Sequence, residues 1–118
     1  MSQWQAMLAS IVIEAVVAAA LITALAWGHA ARAAAAATLG TLITHWFAWH
    51  SAPPLMAAIG NIPGFVAIET GVTLVEAVVY RFLVPVGLGR ALILSLVANG
   101  CSAGTGILLA TFNLLPPA

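Results

Sequence analysis

The chain has no lysine and no aspartate, and its only formal charges are three arginines and three glutamates among 118 residues. A soluble domain keeps roughly 25–35% of its surface charged. Here charged residues are 5% of the whole chain, and hydrophobic residues are 64%. So few charges cannot cover a water-soluble globule, which points to an integral membrane protein. There is no basic run and the net charge is zero, which excludes the electrostatic footprint of a nucleic-acid partner. Cys101 is the single cysteine, so neither an intrachain disulfide nor a CxxC redox pair can form. The N-terminal Met-Ser-Gln-Trp-Gln lacks a basic segment, and residues 4–27 read as a span and not as a cleaved signal.

What remains is long apolar sequence. A spanning helix needs about 20 apolar residues, and the chain has room for four. Membrane β-strands would alternate apolar and polar residues, and the run from Ala15 to Ala26 does not. The expected spans are Trp4–Trp27, Ala33–Trp49, Gly64–Leu83 and Ala91–Phe112. Turns are expected at Gly28–Arg32 and around Pro85, Gly87 and Gly89. The segment His50–Pro63 holds three prolines and a glycine, and reads as the main break in helicity. The expected fold is an all-α, four-transmembrane-helix bundle in a single membrane domain.

The two halves look alike. Glu14-Ala15-Val16-Val17 recurs as Glu76-Ala77-Val78-Val79, and Arg32-Ala33 recurs as Arg90-Ala91. Thr41 and Asn99 follow their arginines at equal spacing, as do Thr44 and Ser102. This reads as two tandem similar hairpins, about 4–49 and 64–112, joined by an outer connector at about 50–63. Units of two spans share one orientation, so the repeats would be parallel and related by a pseudo-twofold axis along the membrane normal. The competing reading is chance, because alanine and valine are abundant. Arg32, Arg81 and Arg90 all fall at the hairpin-turn end. The positive-inside rule then places the turns in the cytoplasm and both termini outside, in a membrane of the bacterial inner type. Trp4, Trp46 and Trp49 would mark the outer interface, and Trp27 and Tyr80 the inner one.

Glu14 and Glu76 both fall near the middle of a span. A charged carboxylate there costs roughly 2.5–3.5 kcal/mol on insertion scales. Such a residue faces the bundle interior, has a partner, or carries a proton. The pair is a candidate proton or cation site, against the alternative of a structural bond between helices or a contact to another subunit. Thr41 and Asn99 share their depth, and with Ser102 would line the site. Glu69, Thr73, Glu76 and Tyr80 read as one polar stripe, against a buried seam satisfied by neighbouring helices. Thr38, Thr41 and His45 read as one face of span two. Glu69 and His45 would shape an outer mouth.

Other motifs carry less. His45 and His50 are five residues apart and so do not share a helical face, and no metal or other cofactor is indicated. Gly100-Cys101-Ser102-Ala103-Gly104 matches G-x-S-x-G, but a nucleophile elbow needs a strand before the turn, and this stretch is helical. It reads better as a small-residue packing face, as do Ala36 and Gly40. Arg81 is too far around the helix to pair with Glu76 and is expected to reach the headgroups. No nucleophile or metal set supports an enzyme. The leading expectation is a proton- or cation-linked transporter or channel that acts as an oligomer. The rival is an accessory or assembly subunit of a larger membrane complex. The partners expected are the lipid bilayer and further copies or subunits.

Overall fold

The computed structural model of the chain describes residues 1–117 and consists of four α-helices. These are α1 (Gln3–Ala24), α2 (Ala30–Ile59), α3 (Asn61–Leu83) and α4 (Leu88–Thr111). Ser2 opens α1 with a capping box: its hydroxyl accepts from the Gln5 amide, and Gln5 Oε1 accepts from the Ser2 amide at 2.8 Å. Two of the free N–H groups at a helix start are satisfied in this way.

Three helices, α1, α3 and α4, are long and apolar enough to cross a membrane. By length and composition α2 is not among them, so three of the four expected spans stand on this ground. It is the longest helix at 30 residues, but three threonines, two histidines, Ser51 and Arg32 dilute its apolar surface.

The break expected within residues 50–63 narrows to a single residue, Gly60. α2 continues through Pro53 and Pro54 to Ile59. Proline withholds an N–H from the carbonyl four residues earlier. Among apolar surroundings, however, unwinding would leave still more backbone groups unpaired, so a helix accommodates proline there. The chain reverses at one residue, Gly60, at φ +97°, a conformation that glycine adopts without a Cβ penalty. Pro63 then sits in the first turn of α3, where a missing N–H costs nothing. Gly64 lets the hairpin close, because a Cβ there would lie 2.7 Å from Met56 Cα.

The helices form a ring: α1 packs on α2 and α4, and α3 packs on the same two. The exterior is apolar, and on α1 Trp4, Leu8, Val12 and Val16 form an outward stripe at four-residue spacing. The interior has two unlike ends. Toward the α1–α2 and α3–α4 turns it is packed solid by small and aliphatic residues, including Ala18, Ile22, Ala36, Ala37, Leu94 and the ring of Tyr80. At that end Arg90 lies over the Trp27 ring, 5.0 Å from its centroid. Toward the Gly60 reversal the bundle opens into a cavity.

The small-residue faces behave differently from each other. Gly40 faces α3 closely, since a Cβ there would meet Glu76 Cγ at 3.0 Å. Gly100 and Gly104 border an open groove between α3 and α4 without close packing, because an added Cβ at either meets nothing within 4 Å. α4 instead turns Ala91, Leu94, Ser95, Ala98 and Asn99 inward, and this helical spacing leaves Gly100 on the outside. The expectation that α4 packs closely through its GxxxG is therefore not met within the chain.

Candidate functional site

The cavity has a volume of about 630 Å³ and runs from the Glu14–Glu76 level toward the Gly60 reversal. Glu14, Thr41, Asn99, Ser102, Glu69, His45 and Glu76, drawn from all four helices, all border it. The structure therefore brings together every residue that the sequence placed at the site. It also brings together all three acidic residues of the chain, and no arginine borders the cavity.

A helix-by-helix circuit of hydrogen bonds forms the floor and lower wall. Between α1 and α2, the Thr41 hydroxyl bonds Glu14 Oε2. Between α2 and α3, the Thr44 hydroxyl donates to Glu76 Oε1 at 2.7 Å. Between α3 and α4, Asn99 Nδ2 donates to Glu76 Oε2 at 2.7 Å, and Ser95 Oγ donates to the Thr73 carbonyl at 2.7 Å. Between α4 and α1, Ser102 Oγ donates to Ser10 Oγ at 3.1 Å. Each of the four packed helix pairs thus carries at least one such bond. Glu14 is 3% exposed and Glu76 1%, and neither has a cationic partner among the described residues.

Counting protons at the two carboxyls is informative. The Thr44 hydroxyl also lies 3.0 Å from its own helix's Gly40 carbonyl, and Thr41 lies 2.9 Å from Ala37 O. A threonine hydroxyl has one proton to give, so it cannot satisfy both acceptors at once. A proton on the carboxyl balances the account. The carboxyl O–H then donates to the threonine oxygen, and the threonine donates to its own helix. The geometry therefore accommodates Glu14 and Glu76 as neutral acids with no loss of hydrogen bonds.

Glu69 is different. It is half-buried, borders the cavity above the floor, and has no ion-pair partner among the described residues. His45 sits across the cavity on α2, with Nε2 3.2 Å from the Gln3 carbonyl and its ring stacked on Trp49. His50 bonds the Trp46 carbonyl and stays outside the cavity. No group of three or more potential metal ligands occurs among the described residues.

Two faces read from the sequence are corrected. On α3 the cavity-facing residues are Phe65, Ile68, Glu69, Val72 and Glu76. Thr73 lies off this line, facing the α3–α4 side, and Tyr80 lies beneath the floor. On α2 the cavity face is Thr41, Thr44 and His45. Thr38 is turned away and bonds the Ala34 carbonyl of its own helix. A seven-residue spacing puts Glu69 and Glu76 on one face, but the intermediate three- and four-residue steps scatter around the helix by tens of degrees.

Two polar contributors were not among the predicted site residues. Thr44 was visible only as the counterpart of Ser102 in the two halves. Ser10, four residues before Glu14, was a detectable helical neighbour of that acid.

No family model matches this chain, and neither a curated protein nor a solved structure matches it significantly.

Proposed function

We infer that this chain is a small membrane transporter or channel that moves protons or cations. The observation that carries the reading is the placement of all three acids on one open cavity with no arginine beside it. Ionisable groups at this depth are costly and are characteristic of proton relays and ion paths. Glu14 and Glu76 exchange a proton or cation at the floor, where Thr41, Thr44, Asn99 and Ser102 supply hydrogen bonds. Glu69 and His45 shape the approach to the floor.

In this reading α2 crosses the membrane with the other three helices, its polar residues turned to the cavity. The hairpin turns lie in the cytoplasm and both termini outside, in a bacterial-type inner membrane. The chain is built from two similar hairpins. Glu14 with Thr41 and Glu76 with Asn99 are corresponding pairs in the two halves, and each pair joins the helices of one hairpin. The unpartnered Gly100–Gly104 face supports self-association, because small residues let membrane helices approach closely. The same face also suits the second reading, an accessory subunit of a larger membrane complex.

Reconstitution separates the two. Purified protein in liposomes with an imposed pH gradient is expected to dissipate that gradient faster than empty liposomes, and to run as a homo-oligomer in mild detergent. Proton and cation leak no faster than in empty liposomes, together with recovery only in company with a second protein, would refute the transport reading.

A further inference from the structure

We propose that the cavity binds a lipophilic organic monocation, with its charged centre at Glu69 and its apolar body against Trp49, Met56, Phe65 and Ile107. This rests on the cation-binding reading of the same site and narrows it to a class of ligand.

Volume and wall chemistry carry the choice. At about 630 Å³ the cavity falls within the roughly 300–1,000 Å³ of small-molecule sites, which combine apolar walls with a few placed polar groups. Calcium or magnesium would need about six or more oxygen ligands in a compact shell, and no group of three or more metal-ligating side chains occurs among the described residues. Here the polar groups are confined largely to the floor, and above it the walls are aromatic, aliphatic or small. Trp49 and Phe65 bring aromatic and apolar area to these walls. The charge requirement is equally specific. Glu14 and Glu76 are already hydrogen-bonded within the bundle, whereas Glu69 has no side-chain partner among the described residues. One free acid matches one positive charge, and an anion would meet three carboxyls and no arginine.

Two further observations fit. A groove of about 440 Å³ runs between α3 and α4, lined by residues such as Leu74, Leu96 and Gly104. It shares Phe65, Glu69, Asn99, Ala103 and Ile107 with the cavity. Glu69 therefore stands where the cavity meets a side groove, within reach of an amphipathic solute dissolved in the bilayer. Beneath the floor, the Tyr80 hydroxyl is the only buried side-chain polar atom without a partner among the described residues. Tyr80 lies one turn from Glu76, and helical side chains lean toward the N-terminus, here toward the acids. The Tyr80 hydroxyl is thus a buried donor on the Glu76 side of the floor.

The test is equilibrium binding to the full chain in mild detergent. The probes are tetraphenylphosphonium and tetraphenylborate, which have the same shape and opposite charge. Saturable binding of the phosphonium at one site is expected, with the borate at least tenfold weaker. Glu69→Gln should weaken phosphonium binding about tenfold or more, and Glu69→Asp should restore most of it. Gly106→Leu, at a cavity-lining position where an added Cβ meets nothing within 4 Å, should weaken binding by partly filling the space. Equal binding of both probes, or phosphonium binding unchanged by Glu69→Gln and by Gly106→Leu, would overturn the proposal. Proton flux measured on the same preparation separates the two readings. Flux with no phosphonium binding removes only the ligand class. Binding with no flux supports the ligand site and removes the transporter.

Discussion

Replacing Glu76 by glutamine tests the proton count directly. The amide oxygen can accept from Asn99 Nδ2, as Oε2 does now at 2.7 Å. The amide nitrogen can donate to Thr44 Oγ1, in the place of Oε1 at 2.7 Å, and Thr44 then keeps its 3.0 Å bond to the Gly40 carbonyl. Both interhelical bonds survive if the native carboxyl is neutral. Such bonds average ~0.6 kcal/mol in membrane proteins, so Glu76→Gln should change stability by less than about 0.5 kcal/mol. Glu76→Leu loses both bonds and should cost about 1–3 kcal/mol, since Asn99 then keeps only its own-helix contacts with Ser95. Reversible unfolding in mixed micelles, followed by tryptophan fluorescence, measures both changes. If the native group is an ionised carboxylate, its hydrogen bonds are worth about 1.5–3 kcal/mol each. A loss of about 2 kcal/mol or more in Glu76→Gln would therefore refute the neutral-acid account.

Other outcomes follow from the same geometry. Gly40→Ala places a Cβ 3.0 Å from Glu76 Cγ and should destabilise by about 1–3 kcal/mol through overpacking. Gly100→Ala, which meets open space, should be neutral or gain about 0.5–1 kcal/mol from helix propensity; equal losses in the two thermal melts would contradict the α2–α3 packing. Tyr80→Phe removes a buried hydroxyl that has no partner among the described residues and should hold or raise stability by about 1 kcal/mol, given the ~1–3 kcal/mol cost of burying an unpaired polar group. A clear loss would mean that the hydroxyl is bonded. Thr41→Val should cost ~0.6–1.7 kcal/mol, within the range of interhelical bonds, and Thr41→Ser should recover it in the same unfolding assay.

Much of the site was legible because acids are so rare here. With only three glutamates in an apolar chain, each had to face inward or find a partner, and the matched positions of Thr41 and Asn99 set their depth. The helix count was legible from apolar run lengths. The course of α2 was not: Pro53 and Pro54 read locally as a break, yet an apolar environment favours keeping the backbone bonded to itself. The reversal needed only the positive φ of Gly60, which looks like any other glycine in the sequence. The fate of Gly100 and Gly104 was hidden for another reason. A GxxxG pattern identifies a small face but not which helix, if any, meets it. Thr38 and Thr73 failed because a face defined by a few polar residues at three- and four-residue steps leaves its rotation uncertain by tens of degrees, whereas the packed interior admits one rotation only.

The central claim is that Glu14 and Glu76 bind and release what crosses the membrane. The most direct measurement is proton-coupled cation uptake into liposomes by the wild-type chain and by the Glu14→Gln/Glu76→Gln double variant, both verified as folded. The account predicts gradient-dependent uptake by the wild type and none above empty liposomes in the double variant. Unchanged uptake in the double variant would contradict it.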